Sequence, residues 1–177
     1  MPHERILIWI QPTDQPRDGD AYDKLVCAEI PNPLTQPLLY EMVKNHHMHG
    51  PCGLLNPTCV CMRDGICSKG FPKQFCEVTA DGDGTYPTYR RHNNGVSVRK
   101  IVRGTTVNLD NRFVIPYNPY LLCKYNCHIN VEICSSVSSV KYINKYIFKG
   151  HDRAQVGLGD TPEDVDETSD YLEGRCI

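Results

Sequence analysis

Eight of the residues between positions 46 and 76 are histidine or cysteine: His46, His47, His49, Cys52, Cys59, Cys61, Cys67 and Cys76. The same stretch is rich in glycine and proline and shows little apolar periodicity, so it cannot be held by hydrophobic burial alone. A tetrahedral Zn²⁺ bound by thiolates and imidazole supplies the missing stabilisation in such segments. The candidate ligands are His49, Cys52, Cys61 and Cys67, with Cys59 or Cys76 as substitutes. The spacing is not the tight C-x-x-C pair of common zinc fingers. The competing reading is a set of free, partly buried cysteines acting as small hydrophobes.

Compartment bears on that choice. No apolar run approaches the roughly 18 residues of a membrane span, and Ile6–Ile10 is too short for a signal-peptide core. An intracellular, reducing setting is therefore expected, where clustered Cys and His read as metal ligands rather than as a disulfide framework. A net charge of −2 advertises no global affinity for nucleic acid, so any DNA contact must be local.

The 177 residues fit one domain, long enough to bury about 70% of the unfolded surface. Ile6-Leu7-Ile8-Trp9-Ile10 is apolar on both faces and predicts a central strand. A short helix is expected over Ala21–Ile30, and a second over Leu38–His47 with Pro37 in its first turn. Val96–Val102, Thr105–Leu109 and Arg112–Ile115 read as a meander with a turn at Asp110-Asn111. Tyr89-Arg90-Arg91-His92 places an aromatic beside two guanidiniums that can track a DNA backbone, although a solvated charged strand fits equally. Asn118 and Pro119 open a short helix as cap and first residue. Cys127–Cys134 alternates as a strand with His128, Asn130 and Glu132 on its polar face.

Ser135-Ser136 caps a further helix in which Tyr142, Lys145, Tyr146 and Lys149 fall inside about 100° of arc. Val137, Val140, Ile143, Ile147 and Phe148 occupy the other side, and Gly150 stops the helix. A phenol has a reference pKa of about 10, but flanking ammonium groups favour the phenolate and also hold a phosphate. Tyr plus Lys therefore suits attack on a phosphodiester. An ordinary amphipathic helix whose tyrosines cover apolar surface is the plainer alternative.

In order, these segments resemble the replication-initiator-like nuclease region of Helitron transposon proteins, also called the Helitron helicase-like domain. The resemblance runs through Pro2-His3 with Ile6–Ile10, Ala28-Glu29-Ile30-Pro31, and His49-Gly50-Pro51-Cys52-Gly53. It continues with Cys67-Ser68-Lys69, Phe71-Pro72-Lys73, Tyr86-Pro87, Tyr89-Arg90-Arg91 and Leu109-Asp110-Asn111-Arg112. Tyr117–Leu122, His128–Glu132 and Lys141–Arg153 complete it.

The resemblance implies an α+β fold with a mostly antiparallel central sheet, flanking helices and a Cys/His-rich insertion at 46–76. Residues 1–155 would form a partial nuclease domain, incomplete at its N-terminus, and 156–177 a linker and the start of a C-terminal helix. It further implies nicking and joining of single-stranded DNA. Tyr142 and Tyr146 would be nucleophiles leaving a 5′-phosphotyrosine, with Lys145 and Lys149 facing the phosphate and Arg90 and Arg91 gripping the strand. His3 would be one ligand of a catalytic Mg²⁺ or Mn²⁺. Here the chain departs from the family's His-x-His pattern: Arg5 stands at the second position, and a guanidinium offers no lone pair. Activity is therefore expected to be impaired, the alternative being a catalytically dead single-stranded-DNA-binding module or transposon relic. No G-x-x-x-x-G-K-[ST] loop occurs, so ATP-dependent helicase activity is expected only of the full-length parent protein. Nuclear localisation would follow from function there.

Overall fold

Asp18 begins the first helix, α1 (Gly19–Leu25), by accepting a hydrogen bond from the Ala21 N–H (2.8 Å), as a capping carboxylate does. In the computed structural model, which describes residues 6–80, 86–102 and 104–134, α1 is shifted and shortened relative to the expected Ala21–Ile30. The cause is tertiary. Residues 26–30 are drawn out as extended chain, in which Cys27 exchanges both backbone hydrogen bonds with Tyr117 (2.8 and 2.9 Å) and the Ile30 N–H is taken by the Asn111 side chain (2.8 Å). Gly19 is required where α1 passes residue 79, because a Cβ there would strike the Thr79 carbonyl.

Helix α2 (Pro37–His46) begins with proline at its first position and buries Leu39 and Val43, four residues apart on one face. It packs on α3 (Pro119–Tyr125). The Asn118 side chain caps α3 by accepting from the Leu121 N–H (2.9 Å), while its amide donates to the Leu25 carbonyl (2.8 Å). One side chain thus ties α3 to the end of α1. Both helices match the reading from sequence.

The sheet component is two antiparallel hairpins, β1 (Met62–Arg63) with β2 (Ile66–Cys67), and β3 (Val98–Val102) with β4 (Thr105–Leu109). Val98 pairs with Leu109, and both are buried in the core, whereas Ile101 faces solvent. The molecule is therefore α+β, but among the described residues the expected central sheet is replaced by these separate hairpins.

Three strand expectations are corrected. Ile6–Ile10 forms no strand; Ile6 is 76% and Trp9 78% exposed, and among the described residues no neighbouring strand offers the hydrogen bonds a central strand needs. Arg112–Ile115 is interrupted because the Asp110 carboxylate captures the Arg112 N–H (3.0 Å) and turns Asn111–Phe113 into a 3-10 helix. Only Val114 then bridges, to Met48. Residues 127–134 are extended without a ladder: Ile129, Val131 and Ile133 donate instead to His47 Nε2 (3.2 Å), the Pro116 carbonyl (3.3 Å) and the Tyr89 hydroxyl (2.9 Å). The alternation is real, but its partners are two side chains and one carbonyl. The described residues belong to one compact unit, Met1–Ser135. The expected tyrosine helix and the 156–177 linker lie outside the described residues.

The main core gathers Ile30, Leu39, Val43, Met48, Val98, Leu109, Phe113, Val114, Tyr117 and Leu122 together with Cys52 and Cys67. At its edge Asn111 is fully buried, accepting from the Ile30 N–H and donating to the His92 carbonyl (both 2.8 Å). Removing it orphans a buried donor and acceptor, each costing about 1–3 kcal/mol. Asn111→Ala is expected to lower unfolding free energy by about 2–5 kcal/mol in urea titrations, whereas Asn108→Ala, on the exposed side of β4, changes it by less than about 0.5 kcal/mol.

Candidate metal centre

The chain leaving α2 is pinned before it reaches the site. His47 accepts at its carbonyl from the Ile115 N–H, and the His49 N–H donates to the Phe113 carbonyl (both 2.8 Å). Gly50 then turns with φ +85°, and a Cβ there would meet the Cys52 nitrogen at 2.7 Å. This tight reversal brings Cys52 back beside His49. Gly53 donates its N–H to Met62 Sδ (3.2 Å), fastening the loop to the hairpin that follows.

That hairpin positions the other two cysteines. β1 and β2 are joined by Asp64-Gly65, both with positive φ (49° and 78°), the two-residue turn that Asp-Gly favours. Cys61 precedes β1, Cys67 ends β2, and the Ser68 N–H donates to the Cys61 carbonyl (2.8 Å). The ligand atoms of His49, Cys52, Cys61 and Cys67 consequently lie within 4.8 Å of one another. A tetrahedral zinc with Zn–S of about 2.3 Å has ligand-to-ligand edges near 3.7 Å, so closure needs movements of roughly 1 Å or less. These four are the candidates that the sequence singled out, and together they could hold a metal ion such as zinc.

The substitutes are placed elsewhere. Cys59 Sγ touches Cys61 Sγ (3.6 Å) but stands outside the quartet, and Cys76 donates its thiol to the Val78 carbonyl (2.8 Å). His47 is fully buried with both ring nitrogens engaged, Nδ1 toward the Ile115 carbonyl (3.3 Å) and Nε2 accepting from Ile129. Burial beside His128 pushes its pKa down to about 4, and it has no free lone pair for a metal.

Burial is the largest influence on the protonation of these side chains. Burial, followed by Lys73, Lys69 and Lys100, holds the His49 pKa below its ordinary value, a direction that favours the neutral form in which imidazole ligates. Its ring stacks on Phe71 (centroids 4.1 Å apart, 15° between planes), and its Nε2 lies 3.4 Å from Cys67 Sγ. Burial pushes the Cys52 thiol up to about 12 and the Cys61 thiol to about 11. At Cys67 burial also acts upward, but backbone hydrogen bonds at Phe71 and Lys69, with the neighbouring thiols, outweigh it and hold the group below the usual thiol range. Without a cation, the site desolvates sulfur groups that water would otherwise solvate; a dication converts that cost into binding.

The expected DNA-binding arginines are largely committed to the fold. Arg91 is corrected to a structural residue: it is 4% exposed, and its Nη1 donates to the carbonyls of Ala28 (3.2 Å), Asn111 and Val114 (2.8 Å). Arg90 pairs with Asp23 (2.7 Å) and Glu29 (3.3 Å). Tyr142, Lys145, Tyr146, Lys149 and the His3/Arg5 pair lie outside the described residues. Reading the sequence missed the lysines around His49 and the stacking role of Phe71. The alternation of Lys and Phe in Lys69-Gly70-Phe71-Pro72-Lys73-Gln74-Phe75 was the available signal.

Gly50→Asn is expected to destabilise by at least about 2 kcal/mol in thermal unfolding, combining a disfavoured backbone with a steric clash. Gly65→Asn, at a turn position that asparagine tolerates and with open space around its Cβ, is expected to cost less than about 1 kcal/mol.

Comparison with known proteins returned no matching family model and no matching curated protein, and the functional reading therefore rests on the residues of this chain.

Proposed function

We propose that this chain is a zinc-stapled module for handling single-stranded DNA, of the Helitron nuclease kind. The observation that carries the reading is the convergence of His49, Cys52, Cys61 and Cys67 from two separated stretches onto one point. Three thiols and a neutral imidazole fit Zn²⁺ and disfavour the hard cations Mg²⁺ and Ca²⁺. Four protein ligands close the tetrahedron and leave no position for substrate, so the ion's role is structural.

The nucleic-acid part of the proposal is supported by the ordered blocks that resemble Helitron nuclease regions. In that reading Tyr142 or Tyr146 attacks a phosphodiester, the P–O bond to the leaving 3′-oxygen breaks, and a 5′-phosphotyrosine forms. Lys145 and Lys149 balance charge on the phosphate. The catalytic divalent ion does not fit the residues present, because Arg5 stands where a second histidine is needed beside His3, and no step is assigned to Mg²⁺ or Mn²⁺. That substitution favours the second reading, a binder that holds the strand without cutting it. Nuclear localisation and a helicase elsewhere in a parent protein belong to the same proposal.

The purified chain is expected to carry one equivalent of zinc by elemental analysis, and strong chelators are expected to abolish its cooperative unfolding transition. Cys61→Ala loses the zinc; Cys76→Ala keeps it. A chain that folds cooperatively without metal would sink the zinc reading. Incubation of labelled single-stranded DNA with Mn²⁺ separates the two functional readings. A covalent adduct absent from the Tyr142→Phe/Tyr146→Phe double variant supports the nuclease; retention of DNA with no adduct supports the binder.

A further inference from the structure

Residues 66–76 hold two lysines and two phenylalanines and no acidic residue. They wrap the same imidazole that completes the metal quartet. Phe71 stacks on His49, and the Lys73 ammonium lies over the Phe71 ring, 5.1 Å from its centroid. Gly70, at φ +66°, leaves room for that ammonium, since a Cβ there would meet Lys73 Nζ at 3.3 Å. The ribbon's backbone is tied down where the Lys73 N–H donates to the Arg112 carbonyl (3.0 Å), and Lys73 Nζ donates to the Lys69 carbonyl (3.2 Å). From β3, Lys100 Nζ reaches the Met48 carbonyl (3.5 Å), one residue before His49.

The Lys73 and Lys100 ammonium groups are thus held beside His49 by an aromatic ring and by backbone carbonyls, and exposed Lys69 stands two residues before that ring. Each has three N–H donors, and the one backbone bond made by Lys73 and by Lys100 leaves two donors on each. Among the described residues none of the three has a carboxylate ion-pair partner, whereas Arg90, Arg112 and Lys44 are each paired with an acid. Glu132 also feels Lys73, but burial raises its pKa and Tyr89 and Asn130 take its hydrogen bonds.

We infer that Lys69, Lys73 and Lys100, carried on the metal-stapled floor of Phe71 and His49, form the phosphate-binding surface through which this chain holds a single-stranded nucleic acid. The inference rests on the reading of the chain as a single-stranded-DNA module and moves the contact from Arg90 and Arg91 to this ribbon. Fixed point charges beside a rigid loop bind a phosphate backbone without reading its bases. The metal then has a second consequence: it sets where the charges stand.

The test is fluorescence anisotropy of a labelled oligothymidylate of about 20 nucleotides against the zinc-loaded chain, over a series of salt concentrations. The triple variant Lys69→Gln/Lys73→Gln/Lys100→Gln is expected to bind at least about tenfold more weakly. Its log–log salt slope should be shallower by about 2, three phosphate contacts at about 0.7 each. The corresponding triple Arg variant retains binding, and Arg90→Gln changes affinity less than about twofold. Lys69→Gln and Lys73→Gln alone, both exposed positions, are measured with zinc content as the fold control, and each is expected to give part of the loss. Unchanged binding by the Gln variants while the native chain binds overturns the inference and leaves the functional reading standing. Failure of the native zinc-loaded chain to bind overturns both.

Discussion

Closure of one imidazole and three thiols on a common point is the constraint on which the rest of this structure depends. The stretch from Cys52 to Cys67 has little core of its own: Leu54, Leu55, Val60 and Ile66 all face solvent. Its order comes from Gly50, from the Asp64-Gly65 turn and from backbone hydrogen bonds such as Met62 N–H to the Cys59 carbonyl and Ser68 N–H to the Cys61 carbonyl (both 2.8 Å). Yet Cys52 and Cys67 are members of the main core beside Leu109, Val114 and Leu122. The loop is therefore a wall of the domain rather than an appendage, and losing its closure would open the core along that wall.

A second constraint is polar. Arg91 and Asn111 sit buried among the carbonyls and amides of residues 28–30, 92, 111 and 114. A buried guanidinium is costly unless its donors are satisfied, and here Arg91 also feels the charges of Glu132 and Glu29. The pair does what a third strand would otherwise do, joining residues 26–30 to residues 111–117 where only Cys27 and Tyr117 make a backbone bridge.

Local chemistry was legible in the sequence wherever it was self-sufficient. Pro37 and Asn118-Pro119 mark helix starts because their capping physics needs no distant partner, and β3–β4 follows from the two short β-branched runs Val96–Val102 and Thr105–Leu109. The candidate quartet His49, Cys52, Cys61 and Cys67 was legible from the density of ligand-type residues in one stretch; that Cys59 and Cys76 stand outside it became visible only in three dimensions. Long-range satisfaction was not legible. Ile6–Ile10 has strand composition but no partner among the described residues. Arg91 reads as a surface cation until three carbonyls are seen around it, and the alternation of residues 127–134 says nothing of pairing with His47 and Tyr89 in place of a strand. Tyr142 and Tyr146 lie outside the described residues.

X-ray absorption at the zinc edge of the metal-loaded chain tests the central claim most directly, because it reports the atoms around the ion without reference to activity. Three sulfur scatterers at about 2.3 Å and one nitrogen at about 2.0–2.1 Å are predicted. A shell of oxygen and nitrogen without sulfur, or one with two imidazoles and an exchangeable water, would contradict the account.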